Sequence, residues 1–165
     1  MIIEPALWHP ILVHFTFSLL LLAPLFLLAG AVGKNHGWGT AAYITGRTLL
    51  WTGVLITIAT VIAGFIAMYN VSVSEEVHHH IHDHRDWAIA TASLYAILAI
   101  WSVVTWKKST RLGWLFGLIM TAAFFMLAIT GYKGGELVFY HGVAVKAVMQ
   151  GESGGHSSEH GDHSH

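Results

Sequence analysis

The sequence predicts an all-α fold, a transmembrane four-helix bundle with an interfacial C-terminal segment and a disordered His-rich tail. Three observations carry this expectation. Hydrophobic residues make up 55% of the 165-residue chain and only 10% of residues are charged, whereas a soluble domain of this size carries about a quarter charged residues. Four stretches, Ile11–Val32, Thr48–Met68, Trp87–Trp106 and Trp114–Tyr132, contain no Asp, Glu, Lys or Arg. Each is close to the ~20 residues that cross a hydrocarbon core at ~1.5 Å rise per residue. Trp8, Trp38, Trp87, Trp106 and Trp114 flank these stretches, as aromatic rings do at the headgroup level.

In chain order, His9 precedes Pro10, a favourable first helical residue, which puts His9 at the cap of span one. Pro24 is expected to kink this helix, a distortion that neighbouring helices accommodate. The run lacks a basic leading region and is too long for the apolar part of a secretory signal. A polar loop, Gly33–Arg47, leads to span two. The next connection, Asn70–Asp86, is longer and His-rich; within it His78/His82 and His80/His84 have (i, i+4) spacing and would share a face if the third helix began early. After span four and Gly134-Gly135, residues Glu136–Met149 are too short to cross and read as an interfacial or folded-back segment. From Gly151 onward Gly, Ser, His and acidic residues predict disorder. Residues 1–150 thus form one transmembrane domain and 151–165 a tail, with no convincing internal repeat.

Orientation follows the basic residues of short loops. Lys34 and Arg47 lie between spans one and two, and Lys107, Lys108 and Arg111 between spans three and four. The other connection holds Arg85 against Glu75, Glu76, Asp83 and Asp86. Lys133 and Lys146 in the carboxyl region do not reverse the bias. Both termini are therefore expected on the periplasmic side of a bacterial inner membrane. Twelve of the thirteen histidines then share that side, and only His36 faces inward.

Imidazole is the commonest protein ligand for transition metals and a standard axial ligand for haem iron. The chain has no cysteine, which excludes disulfides, thiolate zinc sites, iron–sulfur clusters and covalent c-type haem. No basic patch suggests nucleic acid, and no Gly-x-Ser-x-Gly, phosphate loop or His-Glu-x-x-His motif is present. His14 lies about one turn inside span one, where a polar side chain needs a partner. It is the first candidate for an axial ligand, with His9 second; an interhelical hydrogen bond that fixes packing is as good an account of His14 alone. His84, opening span three, is the counterpart from a facing helix, with His82 an alternative and Asp83 or Asp86 available to hold the far ring nitrogen. His141 would complete the site or serve a second cofactor, and Glu136 is a nearby carboxylate suited to accept a proton or bind metal. His78, His80 and His82 in the loop, and His156, His160 and His163 in the tail, are candidates for loose Cu, Zn or Ni binding, or simply a solvated surface.

The pairing of His9-Pro10-Ile11-Leu12-Val13-His14-Phe15 with Gly134-Gly135-Glu136-Leu137-Val138-Phe139-Tyr140-His141-Gly142-Val143 resembles a bacterial family of small four-helix membrane proteins, the domain-of-unknown-function 2231 family. The resemblance runs from helix one to about Val145. Family members look like His-Pro-x-x-Val-His-Phe-Pro at the start, with a His opening helix three and Gly-Gly-x-Leu-Val near the end. Thr16 stands where the family has Pro, which should straighten the helix, and His84 is the best match for the third position. The His-rich loop and tail lie beyond the family pattern. Relatives fused to Rieske or cytochrome-type domains imply a redox setting.

Together these readings lead to haem b held near the outer face between His14 and His84, with His9 and His141 beside it, exchanging electrons with a periplasmic or quinone partner. The alternatives are a Cu, Zn or Ni handling protein and a structural subunit of a larger membrane complex or homo-oligomer.

Overall fold

The computed structural model describes residues 5–70, 75–107 and 112–143. Four helices follow in order: α1 Pro5–Val32, α2 Gly37–Asn70, α3 Glu75–Lys107 and α4 Trp114–Phe139. All four are long and apolar enough to cross a membrane. Large apolar side chains such as Leu28, Leu55, Ile100 and Phe125 point outward, the arrangement of a bundle solvated by lipid tails. Side by side, the helices run α1, α2, α3, α4 and back to α1.

Several boundaries differ from the sequence expectation because helices continue past the hydrocarbon core. Helix α1 starts at Pro5, so His9 lies within the helix and not at its cap, and the helix runs on through Pro10 and Pro24. Helix α2 starts at Gly37, reducing the first loop to residues 33–36. The His-rich stretch is the first part of α3 and not a loop, since the helix begins at Glu75. Gly134 and Gly135 do not end α4, which absorbs Glu136–Phe139. The chain turns only at Tyr140 and His141, where the Tyr140 and Gly142 N–H groups donate to the Glu136 and Val138 carbonyls. Gly142 has φ 60°, the left-handed helix-end conformation that glycine adopts without a Cβ penalty. The rest of the proposed folded-back segment and the tail lie outside the described residues.

The core is built from one seam per helix. Buried positions are Thr16, Leu20, Ala23 and Leu27 on α1, Gly46, Leu50, Gly53, Thr57 and Thr60 on α2, Thr91, Tyr95, Leu98 and Ser102 on α3, and Phe116, Met120, Ala123 and Leu127 on α4. The steps alternate four and three, the spacing of a left-handed bundle. These seams also reveal an internal repeat that the sequence reading did not find. Each α1 position recurs on α3 75 residues later, and each α2 position recurs on α4 70 residues later, ending with Thr60 and Thr130. Both hairpins run in the same sense, a parallel repeat.

The halves differ in how closely their helices approach. Helices α1 and α2 are the more intimately packed pair, because α2 carries Gly46 and Gly53 where α4 carries Phe116 and Ala123. A Cβ at Gly30 would sit 2.7 Å from the Tyr43 backbone, one at Gly46 2.7 Å from the Leu27 nitrogen, and one at Gly53 2.5 Å from Leu20 Cδ2. Lipid gives no hydrophobic drive between spans, so van der Waals contact across small residues must do the work. Gly30→Ala should therefore lower stability by ~1–3 kcal/mol through overpacking. Gly117→Ala, where a methyl meets nothing within 4 Å, should be neutral or stabilise by up to ~1 kcal/mol. Unfolding midpoints of the two variants in detergent test the difference.

Candidate functional site

Because α1 and α3 run the same way, their first turns lie at the same end of the bundle as the last turns of α2 and α4. That end gathers the histidines of the described residues except His36, whose ring stacks on Trp38 at the opposite end. The repeat sets their depth. Thr16 Oγ1 lies 2.8 Å from Thr60 Oγ1, and Thr91 Oγ1 lies 2.9 Å from Thr130 Oγ1. Thr60 and Thr130 each donate to the carbonyl one turn back, at Ile56 and Met126. Each has only one proton, so each accepts from its partner, and the two pairs have the same polarity. His9 stands seven residues before Thr16 and His84 seven before Thr91, two turns toward the termini in both hairpins.

Each imidazole rests on a glycine of the neighbouring helix. A Cβ at Gly64 would lie 2.9 Å from His9 Cε1, and one at Gly134 would lie 3.0 Å from His84 Cε1. His9 Nδ1 is 3.0 Å from the Thr60 carbonyl oxygen. A carbonyl only accepts, so Nδ1 carries the proton and Nε2 keeps its lone pair. Thr130, the repeat counterpart of Thr60, presents its carbonyl beside His84, but the buried His84 Nδ1 makes no hydrogen bond of normal geometry.

His14 does not join them. It is exposed, with Nδ1 2.6 Å from the Pro10 carbonyl of its own helix. Five residues separate it from His9, a turn of roughly 140° on an ideal helix, so only one of the two can face inward. His9, and not the expected His14, is the α1 imidazole placed at the same register as His84 and packed on a glycine of the neighbouring helix. Neither Asp83 nor Asp86 holds a histidine nitrogen, since Asp83 pairs with Lys133 of α4 and Asp86 with Arg85. The Thr16 hydroxyl supplies the α1–α2 hydrogen bond.

Toward the termini lies a second layer of imidazoles. His80 stacks on His141 with centroids 4.7 Å apart, and His78 lies 4.5 Å from His82. The (i, i+4) pairing of His78 with His82 follows from the early start of α3. Glu136 is half-buried on the last turn of α4. Among the described residues no group of three or more His, Asp or Glu side chains is arranged to hold a metal ion. His156, His160 and His163 lie outside the described residues.

The family model described as a predicted membrane protein (DUF2231) matches residues 7–147. The chain belongs to this family. The matched segment includes His9, His84, Gly134 and His141 of the site. No curated protein and no solved structure matches the chain. The family assignment covers both hairpins, so the repeated signal, His-x6-Thr on α1 and α3 with Thr-x3-Gly on α2 and α4, lies wholly within it. That signal singles out Thr60, Gly64 and Thr130, which sequence reasoning did not name. In a Thr16→Val/Thr60→Val double-mutant cycle, the coupling should be about 0.6 kcal/mol, the usual value for hydrogen bonds between spans. The Thr91/Thr130 cycle should give a similar value; coupling near zero in both would remove the hydroxyl pairs as the cause of register.

Proposed function

We propose that this membrane protein binds haem b at its histidine end, where His9 and His84 would hold the iron. The observation that carries the reading is two inward imidazoles at equivalent register on α1 and α3, each on a glycine. The donor set fits the group. His9 has a fixed tautomer with an open Nε2, and His84 has a buried ring nitrogen without a hydrogen-bond partner among the described residues. When bound, haem supplies one-electron chemistry. The chain's own residues do the rest. The Thr60 carbonyl orients the His9 ring and raises its basicity as a ligand. Gly64 and Gly134 leave the rings space that any larger residue would fill. The Asp83–Lys133 pair ties α3 to α4 one residue from His84, limiting its movement. Exchange of electrons with a periplasmic or quinone partner follows as the role of such a centre, with both termini on the periplasmic side of a bacterial inner membrane.

A second reading, Cu, Zn or Ni handling, is favoured by the His78–His82 and His80–His141 pairs, each offering two imidazoles. The absorption spectrum of the detergent-purified protein separates the two. Haem predicts a Soret band that His9→Ala and His84→Ala abolish and His14→Ala leaves in place. A colourless protein that takes up no haemin overturns the reading. A metal content that falls with His78→Ala or His141→Ala in such a protein would favour the second.

A further inference from the structure

The opposite end of the bundle has different chemistry. Every Asp and Glu between residues 5 and 143 belongs to the histidine end: Glu75, Glu76, Asp83, Asp86 and Glu136. At the other end the described residues carry cations, Lys34, Arg47 and Lys107, and no Asp or Glu. Arg47 lies inside the protein, 1% exposed. Its guanidinium donates to Thr105 Oγ1 and lies 5.1 Å from the Tyr43 ring centre and 5.2 Å from that of Trp106. These contacts hold the cation in place without neutralising it. Among the described residues the ion pairs are Arg85–Asp86 and Lys133–Asp83, both at the histidine end. A guanidinium taken out of water without a counter-charge carries a desolvation cost that a bound partner would offset.

Three further polar atoms point the same way. Arg47 Nε, Trp51 Nε1 and Ser102 Oγ are buried without a hydrogen-bond partner among the described residues. Trp51 lies one turn along α2 from Arg47 and meets Trp106 edge-on at 6.2 Å. Ser102 lies one turn along α3 from Thr105, the Arg47 acceptor. The α2–α3 seam thus holds two obligate N–H donors and one hydroxyl. Buried polar groups are almost always satisfied, and each exception calls for an explanation. Bundle architecture does not supply one. The repeat counterpart of Ser102 is the buried Leu27, which fills the equivalent seam position with no polar group, and that of Arg47 is the exposed Gly117. Guanidinium and indole N–H groups only donate, so what satisfies them must bring acceptors. An uncompensated buried cation also selects negative charge.

We propose that Arg47, Trp51 and Ser102 form an oxyanion site that takes a phosphate group. Trp106 is half-exposed beside the site, at the headgroup level that such residues mark, so the phosphate comes either from a phospholipid headgroup or from free phosphate. The test uses the full chain purified in detergent, heated with three probes: short-chain phosphatidylglycerol, the matching diacylglycerol, and inorganic phosphate. Ligand that binds only the folded state raises the melting temperature with its concentration. A rise with phosphatidylglycerol alone assigns the site to lipid, and a rise with inorganic phosphate as well assigns it to the free ion. Either supports the site provided Arg47→Gln abolishes the rise while His9→Ala leaves it intact. Should Arg47→Gln fail to accumulate, Trp51→Phe and Ser102→Ala, which retain the packing, should each weaken apparent affinity by about tenfold, the loss of one good hydrogen bond to a charged group. No rise with any probe, an equal rise with diacylglycerol, or a rise unchanged in the variants overturns the proposal.

Discussion

Spans that share a lipid solvent gain nothing from the hydrophobic effect when they touch, so something else must fix how far each helix is inserted relative to its neighbour. Here the Thr16–Thr60 and Thr91–Thr130 hydroxyl pairs do so, one in each hairpin, with the same polarity. The depth of the histidines depends on them. Seven residues at ~1.5 Å rise place each imidazole about 10 Å beyond its threonine, and equal spacing in the two halves brings His9 and His84 to one level. A hydroxyl bond worth little in stability thus has a large geometric effect, because it operates at the root of two rigid rods.

The two hairpins satisfy this constraint with different side chains. In the first, Gly46 and Gly53 let α1 and α2 approach until Leu20 and Leu27 fill the seam. In the second, Phe116 and Met120 fill the core, Phe116 meeting Trp101 edge-on at 5.4 Å, and bulk replaces backbone proximity. A tight hairpin of small residues braces a looser one of large residues, and the polar exceptions gather where the two meet on the α2–α3 seam.

Much of this was legible in the sequence, and what was not has a physical reason. Hydropathy over ~20 residues reports the hydrocarbon core, so four spans were evident, but Glu75–Asp86 and Gly37–Arg47 are helix outside that thickness and carry no hydropathy signal. The glycines of Gly134-Gly135 suggested a break, yet α4 continues through them, since in a span a broken backbone bond costs more than a glycine's entropy. His14 drew attention by lying deeper than His9; depth says nothing of direction, and the face is set by the register of Thr16 and Leu20, which needs the partner helix to be read. The repeat escaped notice because the halves share a spacing and few residues. Among the seam and site positions only the histidine, the threonines and Gly64/Gly134 are held in common.

The separation of charge along the bundle bears on how its two ends relate. At the histidine end Asp83 and Asp86 are matched by Lys133 and Arg85, so the imidazoles there sit beside neutralised charges. At the other end a buried guanidinium faces no carboxylate among the described residues and offers only donors. Between them lie Leu20, Ala23, Leu50, Leu98, Ala123 and Leu127, and the buried Thr57 hydroxyl there is turned back onto its own helix. No chain of hydrogen-bonding side chains links the ends among the described residues, so a proton taken up beside His84 has no side-chain path to Arg47. One physical link between the ends runs through α2 and α3. These helices carry Arg47 and His84, and the guanidinium's bond to Thr105 pins them to each other.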